Sequence, residues 1–152
     1  MVAVLLVGVA LSVYGADVLK PGDMMNGKAV IAARKGLMGS NGANLGDIQA
    51  KIAANNVRGI AANAQTVAVN ASLMPILFEK AYRGDYAADA KILYKEGDWN
   101  AFVAIAQELA NEAEAMARLA QQDRPVADIR AQFGKIGGAC GKCHNQFREQ
   151  RQ

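Results

Sequence analysis

The stretch Ile129-Arg130-Ala131-Gln132-Phe133-Gly134-Lys135-Ile136-Gly137-Gly138-Ala139-Cys140-Gly141-Lys142-Cys143-His144-Asn145-Gln146-Phe147 decides how this chain folds. Ile129, Phe133, Ile136, Cys140, Cys143, His144 and Phe147 follow one another at steps of 4, 3, 4, 3, 1 and 3, the spacing of one helix face. That spacing predicts that both thiols and the imidazole look into the same interior as the apolar residues. Upstream, Asp123 is suited to cap this helix, with Pro125 in its first turn.

Cys140 and Cys143 are the only cysteines, and His144 is the only histidine. A Cys-x-x-Cys-His run is the attachment signature of a c-type haem. The two thiols add to the vinyl groups, and the neighbouring imidazole ligates the iron. A zinc site needs roughly four N/S ligands, and only these three residues offer them. A thioredoxin-like dithiol wants a strand-to-helix context, whereas these surroundings are helical in pattern. A surface disulfide beside an incidental histidine is the plainer alternative.

Moving toward the N-terminus, Trp99, Phe102, Val103, Ala106, Leu109, Ala110, Ala113, Met116, Ala117 and Ala120 make the clearest amphipathic stripe. This helix begins at Asp98 or already near Asp89, and Gln121 to Pro125 break it. A further helix is expected from about Val57 to Phe78, with Pro75 marking a kink or the last turn. Residues 79–90 have a loop-like composition. The first helix follows Asp23, a suitable N-cap, and carries Ile31, Met38, Leu45, Ile48 and Ile52 on one side. Gly36, Gly39, Gly42 and Gly46 fall inside it, each costing about 1 kcal/mol relative to Ala. Either the helix breaks near Ser40-Asn41-Gly42, or a flat group approaches its backbone; the second reading is preferred. Asn55-Asn56 is the turn before the next helix. Four helices with short links predict an all-α, antiparallel up-down four-helix bundle carrying a covalent haem c.

The 152 residues suffice for one domain with a real core. A net charge of +3 and no basic block argue against nucleic acid. Met1 to Tyr14 is an apolar run, too short for the roughly twenty residues of a stable membrane span. It matches the hydrophobic part of a signal peptide, although no Lys or Arg precedes it. The expected division is therefore a signal peptide at 1–15 and a haem-bearing bundle at 16–152.

With its attachment motif on the last helix of a bundle, the chain resembles the class II c-type cytochromes, the cytochrome c′ superfamily. The resemblance rests on Phe133 to Arg148 and on Arg34-Lys35-Gly36-Leu37-Met38-Gly39-Ser40-Asn41-Gly42-Ala43-Asn44-Leu45. It implies a periplasmic, iron-binding electron-transport protein with one covalent haem c and no enzymatic activity. By resemblance, Met38, four residues after Arg34, is the sixth iron ligand opposite His144, as in the low-spin branch. A Met at this place is otherwise core filler. The resemblance also puts Arg34, Phe133 and Arg148 beside the haem. It implies redox partner proteins and allows a homodimer through the first two helices. If Met38 does not ligate, the resemblance implies a five-coordinate iron that binds NO or CO. A peroxidase would want a second, distal histidine, and there is none.

Overall fold

The structure, a computed structural model, describes residues 27–79 and 99–148. Helix α1 spans Gly27–Ala53, α2 Ala61–Phe78, α3 Trp99–Gln121 and α4 Val126–Phe147, with a single 3-10 turn at Arg58–Ile60. No strand occurs among the described residues. Each helix packs on the next in sequence, and α1 meets α4 at only a few points. This is the expected up-down-up-down bundle, with one of its four seams barely closed. Residues 1–15, Asp23, the loop-like segment after Glu79, and Asp89 and Asp98 lie outside the described residues.

Helix α3 forms as its stripe predicts. Phe102, Ala106, Leu109, Ala110, Ala113, Met116, Ala117 and Ala120 are all buried. The alanines keep its neighbours close, while its Gln, Glu and Asn residues take the solvent side. Pro75 sits in the last turn of α2, which runs on to Phe78 and ends at an extended Glu79.

Both described turns close by the same device. Asn55 adopts φ 56° and Asp123 φ 53°. The Asn56 N–H donates to the Lys51 carbonyl at 2.9 Å and the Arg124 N–H to Leu119 at 3.1 Å. These are Schellman closures of α1 and α3. Asp123 is therefore the left-handed end of α3 and not the cap of α4. Its carboxylate pairs with Arg58 at 3.1 Å, and α4 starts after Pro125 without a side-chain cap. After the first turn the Gly59 N–H donates to Asn56 Oδ1 at 3.2 Å, and a Cβ at Gly59 would displace that Asn56 side chain.

Helix α1 runs unbroken through Ser40-Asn41-Gly42, as the preferred reading of its glycines requires. Its buried side is Val30, Ile31, Arg34, Leu37, Asn41, Ile48 and Ile52. Gly36, Gly39, Gly42 and Gly46 are exposed, and an added Cβ at any of them meets nothing.

Between α1 and α2 runs a row of amides. Asn70 Nδ2 donates to Asn41 Oδ1 at 2.8 Å and to Ser40 Oγ at 3.0 Å. Asn63 Nδ2 donates to Asn44 Oδ1 at 2.9 Å, and Lys51 Nζ donates to Asn63 Oδ1 at 2.6 Å. Asn44 also donates to the Ser40 carbonyl at 2.8 Å. Asn41 is 7 % exposed, so its amide depends on this bonding.

Candidate haem site

One end of the bundle gathers the residues singled out above. Phe102 near the start of α3 touches Phe78 at the end of α2 and Phe147 at the end of α4, with ring centroids 5.2 and 5.3 Å apart. Trp99 stacks on Phe102 at 5.5 Å, so it is part of this packing. The Arg34 guanidinium lies over Phe78, 4.7 Å from the ring centroid. The first turns of α1 and the last turns of α4 are thus level with each other. Met38 lies one turn along α1 from Arg34. Cys140, Cys143 and His144 occupy the last two turns of α4.

Polar contacts to α3 fix the rotation of α4. Gln132, 5 % exposed, donates through Nε2 to the Glu112 carbonyl at 2.8 Å and to the Glu112 carboxylate. Lys142 Nζ reaches Glu108 Oε1 at 2.6 Å. At about 100° per residue, Phe133, Cys140 and His144 then fall on the opposite flank of the buried stripe, toward α1. Helix α1 shows the converse arrangement. Its partners for α2 are Ser40, Asn41, Asn44 and Lys51, which leaves Met38 and Leu45 on the flank toward α4. His144 and Met38 thus face the same sparse seam from its two sides.

The expected single interior face holds only in part. Cys143 is buried, Cys140 and Phe133 are half-buried, and His144 is exposed. The imidazole is turned about 100° from Cys143 and so leaves the core for the seam. Its exposure does not free it from its surroundings: partial burial first and the Arg148 charge second hold its pKa below the usual value. Arg148 lies just past the helix end, exposed, and its N–H donates to the His144 carbonyl at 3.1 Å. Arg34 is 5 % exposed, and its Nε donates to the Leu77 carbonyl. It ties α1 to the C-terminus of α2, where a cation is favoured. Met38 is half-buried against the core, whereas Met74 and Met116 are fully interior. Met24 and Met25 lie outside the described residues.

Burial pushes the Cys143 thiol up to about 11, with Cys140 beside it adding to the rise. Burial also raises Cys140. Both cysteines are free, and burial works against thiolate formation at both. Among the described residues no group of three or more His, Cys, Asp and Glu could hold a metal ion. A haem c suits the donors that are present. Two free thiols lie one turn apart with an imidazole beside them, and Cys140 and His144 lie on the flank where the bundle is least closed. Gln132 and the amides of α1 and α2 went unnoticed in the sequence. A glutamine inside an otherwise apolar stripe was the available signal for the first.

A protein-family model described as cytochrome c′ matches residues 29–148. Cytochrome c′ from Thermochromatium tepidum has a similar structure, with a TM-score of 0.67 and 25 % identity over 82 % of this chain and 97 % of that one. A second cytochrome c′, described as having an unusual ligand-controlled dimer dissociation, superposes with a TM-score of 0.69. It is 24 % identical over 88 % of this chain and 100 % of that one. No curated protein sequence matches. The low-spin, Met-ligated branch gains no support from these relatives. The match spans the four described helices and includes the Cys-x-x-Cys-His run, and the chain belongs to the cytochrome c′ family.

Proposed function

We propose that the protein is a periplasmic haem c protein in which Cys140 and Cys143 form the thioethers and His144 binds iron from α4. The side toward α1 stays open to a small neutral gas such as NO or CO. The observation that carries this reading is the placement of His144 and Cys140 on the flank of α4 that faces the sparse α1–α4 seam. When bound, the haem supplies an iron that takes a diatomic ligand or passes a single electron. The chain's own residues do the rest. Phe133 and Leu45 wall the seam with apolar surface, which disfavours anions. Arg148 sets a positive charge near the imidazole, and Arg34 secures the end of α1 against α2. Residues 1–15 serve as an export signal, in keeping with haem attachment outside the cytoplasmic membrane.

A second reading keeps the fold and changes the ligation. Met38 lies on the flank that faces His144, and its sulfur is of the type that ligates haem iron. Iron held by both residues would favour electron transfer to redox partner proteins.

Absorption spectra of the exported protein, oxidised and reduced, with and without CO, separate the two. A broad high-spin spectrum that shifts with CO supports the open site. Sharp low-spin bands that ignore CO support Met38 ligation. A chain without a haem spectrum, after expression with the c-type maturation machinery, rejects both.

The outer side of the α1–α2 layer is suited to a second copy of the chain. Val69, Leu73 and Ile76 form an exposed apolar row on α2, being 60, 43 and 54 % exposed.

A further inference from the structure

The outward side of helix α1 is mixed: Ala32, Gly36, Gly39, Gly42, Ala43, Gly46 and Ala50 stand among Lys35, Asp47 and Gln49. Apolar patterning sets which side is buried, but the small residues oppose modest turns about the axis only weakly. The seam with α4 offers little correction, because these helices touch at few points. What singles out one rotation is the amide row to α2. A buried amide bonded to a partner helix is a recognised way of setting register, since any other register leaves it unpaired.

Within that row, Asn70 is the member nearest the haem end. Its Nδ2 holds both Ser40 Oγ and Asn41 Oδ1, at 3.0 and 2.8 Å. Those residues are two and three positions beyond Met38, within the same helical turn. Asn63 does the same kind of work about two turns further from the site, on Asn44 and Lys51. Ser40 and Asn41 lie on the α2 side of α1, and Met38 lies on the α4 side. Turning α1 so as to break the Asn70 bonds necessarily swings Met38 along the seam.

We propose that Asn70 is a positioning residue for the distal side of the haem: by clamping Ser40 and Asn41 it sets how far Met38 stands over the face opposite His144. This rests on the reading of the α1–α4 seam as the haem site. It applies whether Met38 shields an open iron or ligates it, because in either case the clamp fixes where the thioether sits.

The test compares holoprotein carrying Asn70→Leu with Asn63→Leu, a change of the same kind in the same row. Each is read by its ferric and ferrous spectra, by the CO association rate, and by its denaturation midpoint. Both variants should lose stability. Asn70→Leu should also change the CO association rate, or the high-spin fraction if Met38 ligates, by about threefold or more. Asn63→Leu should leave both readouts near wild type. A wild-type haem spectrum with an unchanged distal readout in Asn70→Leu overturns the clamp, as does an equal shift in Asn63→Leu. If Asn70→Leu fails to accumulate, Asn70→Ser removes the amide with less disturbance and is judged by the same readouts. Loss of the haem spectrum in wild type would instead overturn the haem reading itself.

Discussion

Lys142 donates to Glu108 at 2.6 Å, from the position between the two cysteines and across to α3. This contact and that of Gln132 set which way the attachment motif turns. The Lys142 pair is exposed, 58 % at Lys142 and 38 % at Glu108, and so is screened by solvent. Lys142→Met should cost about 1 kcal/mol or less in chemical denaturation. Gln132→Ala should cost more, about 1–3 kcal/mol, because the buried bond to Glu112 is lost. Equal costs for the two would show that burial does not separate them.

Each cysteine should carry one thioether. Cys140→Ser or Cys143→Ser should leave haem attached through the remaining bond, and the double substitution should release it under denaturing conditions. Haem staining of a denaturing gel, with the mass of the intact chain, reads this directly. Covalent haem in the double variant would remove the basis for the assignment.

Phe102 joins the ends of three helices through its contacts with Phe78, Trp99 and Phe147. Phe102→Ala should destabilise the bundle by about 3–5 kcal/mol, seen as a lower denaturation midpoint.

Gly39 points into open space. In a monomer, Gly39→Ala should stabilise α1 by about 0.5–1 kcal/mol. If a second copy covers this side, the same change should weaken association, and Leu73→Glu should abolish it. Sedimentation across a concentration series distinguishes these outcomes. A wild-type chain that stays monomeric throughout would end the homodimer reading.

A hydrogen bond from Lys51 holds the Asp47 carboxyl below its usual 3.8, and the two groups are 2.7 Å apart. The charged form is favoured in the folded chain. The stabilisation is therefore present above the unfolded pKa and lost as pH falls through the lower, folded value. Lys51→Met should move the Asp47 titration upward by NMR, and added salt should narrow the difference. An unchanged titration would mean that the pair does not form in solution.

The sequence displayed α3 almost completely, because its alanines, leucine and phenylalanine contrast sharply with the Gln, Glu and Asn residues between them. The attachment motif was equally plain, being set by residue identity. Helix α1 was legible as a helix and in its buried side, since Ile31, Ile48 and Ile52 are buried and Met38 and Leu45 pack against the core; the asparagine contacts that tie it to α2 were not. Asp123 was misplaced because an Asp before a Pro suits a cap and a left-handed turn alike, and the closure of α3 uses it first. The swing of His144 off the core was legible in the one-residue step from Cys143, which is about 100° in a helix; the contacts of Gln132 and Lys142 with α3, which set the rotation of α4 as a whole, were not.

The sparse seam is also the place where the beginning and the end of the fold meet. The other three interfaces each join neighbours in sequence, so α1 to α4 can assemble as an open arc through local contacts, which favours fast folding. Closing that arc into a ring falls to whatever occupies the gap between α1 and α4. A haem held there, as proposed, would act as a keystone, and stability would then depend on loading. An unloaded copy would be left as an arc, less protected from degradation.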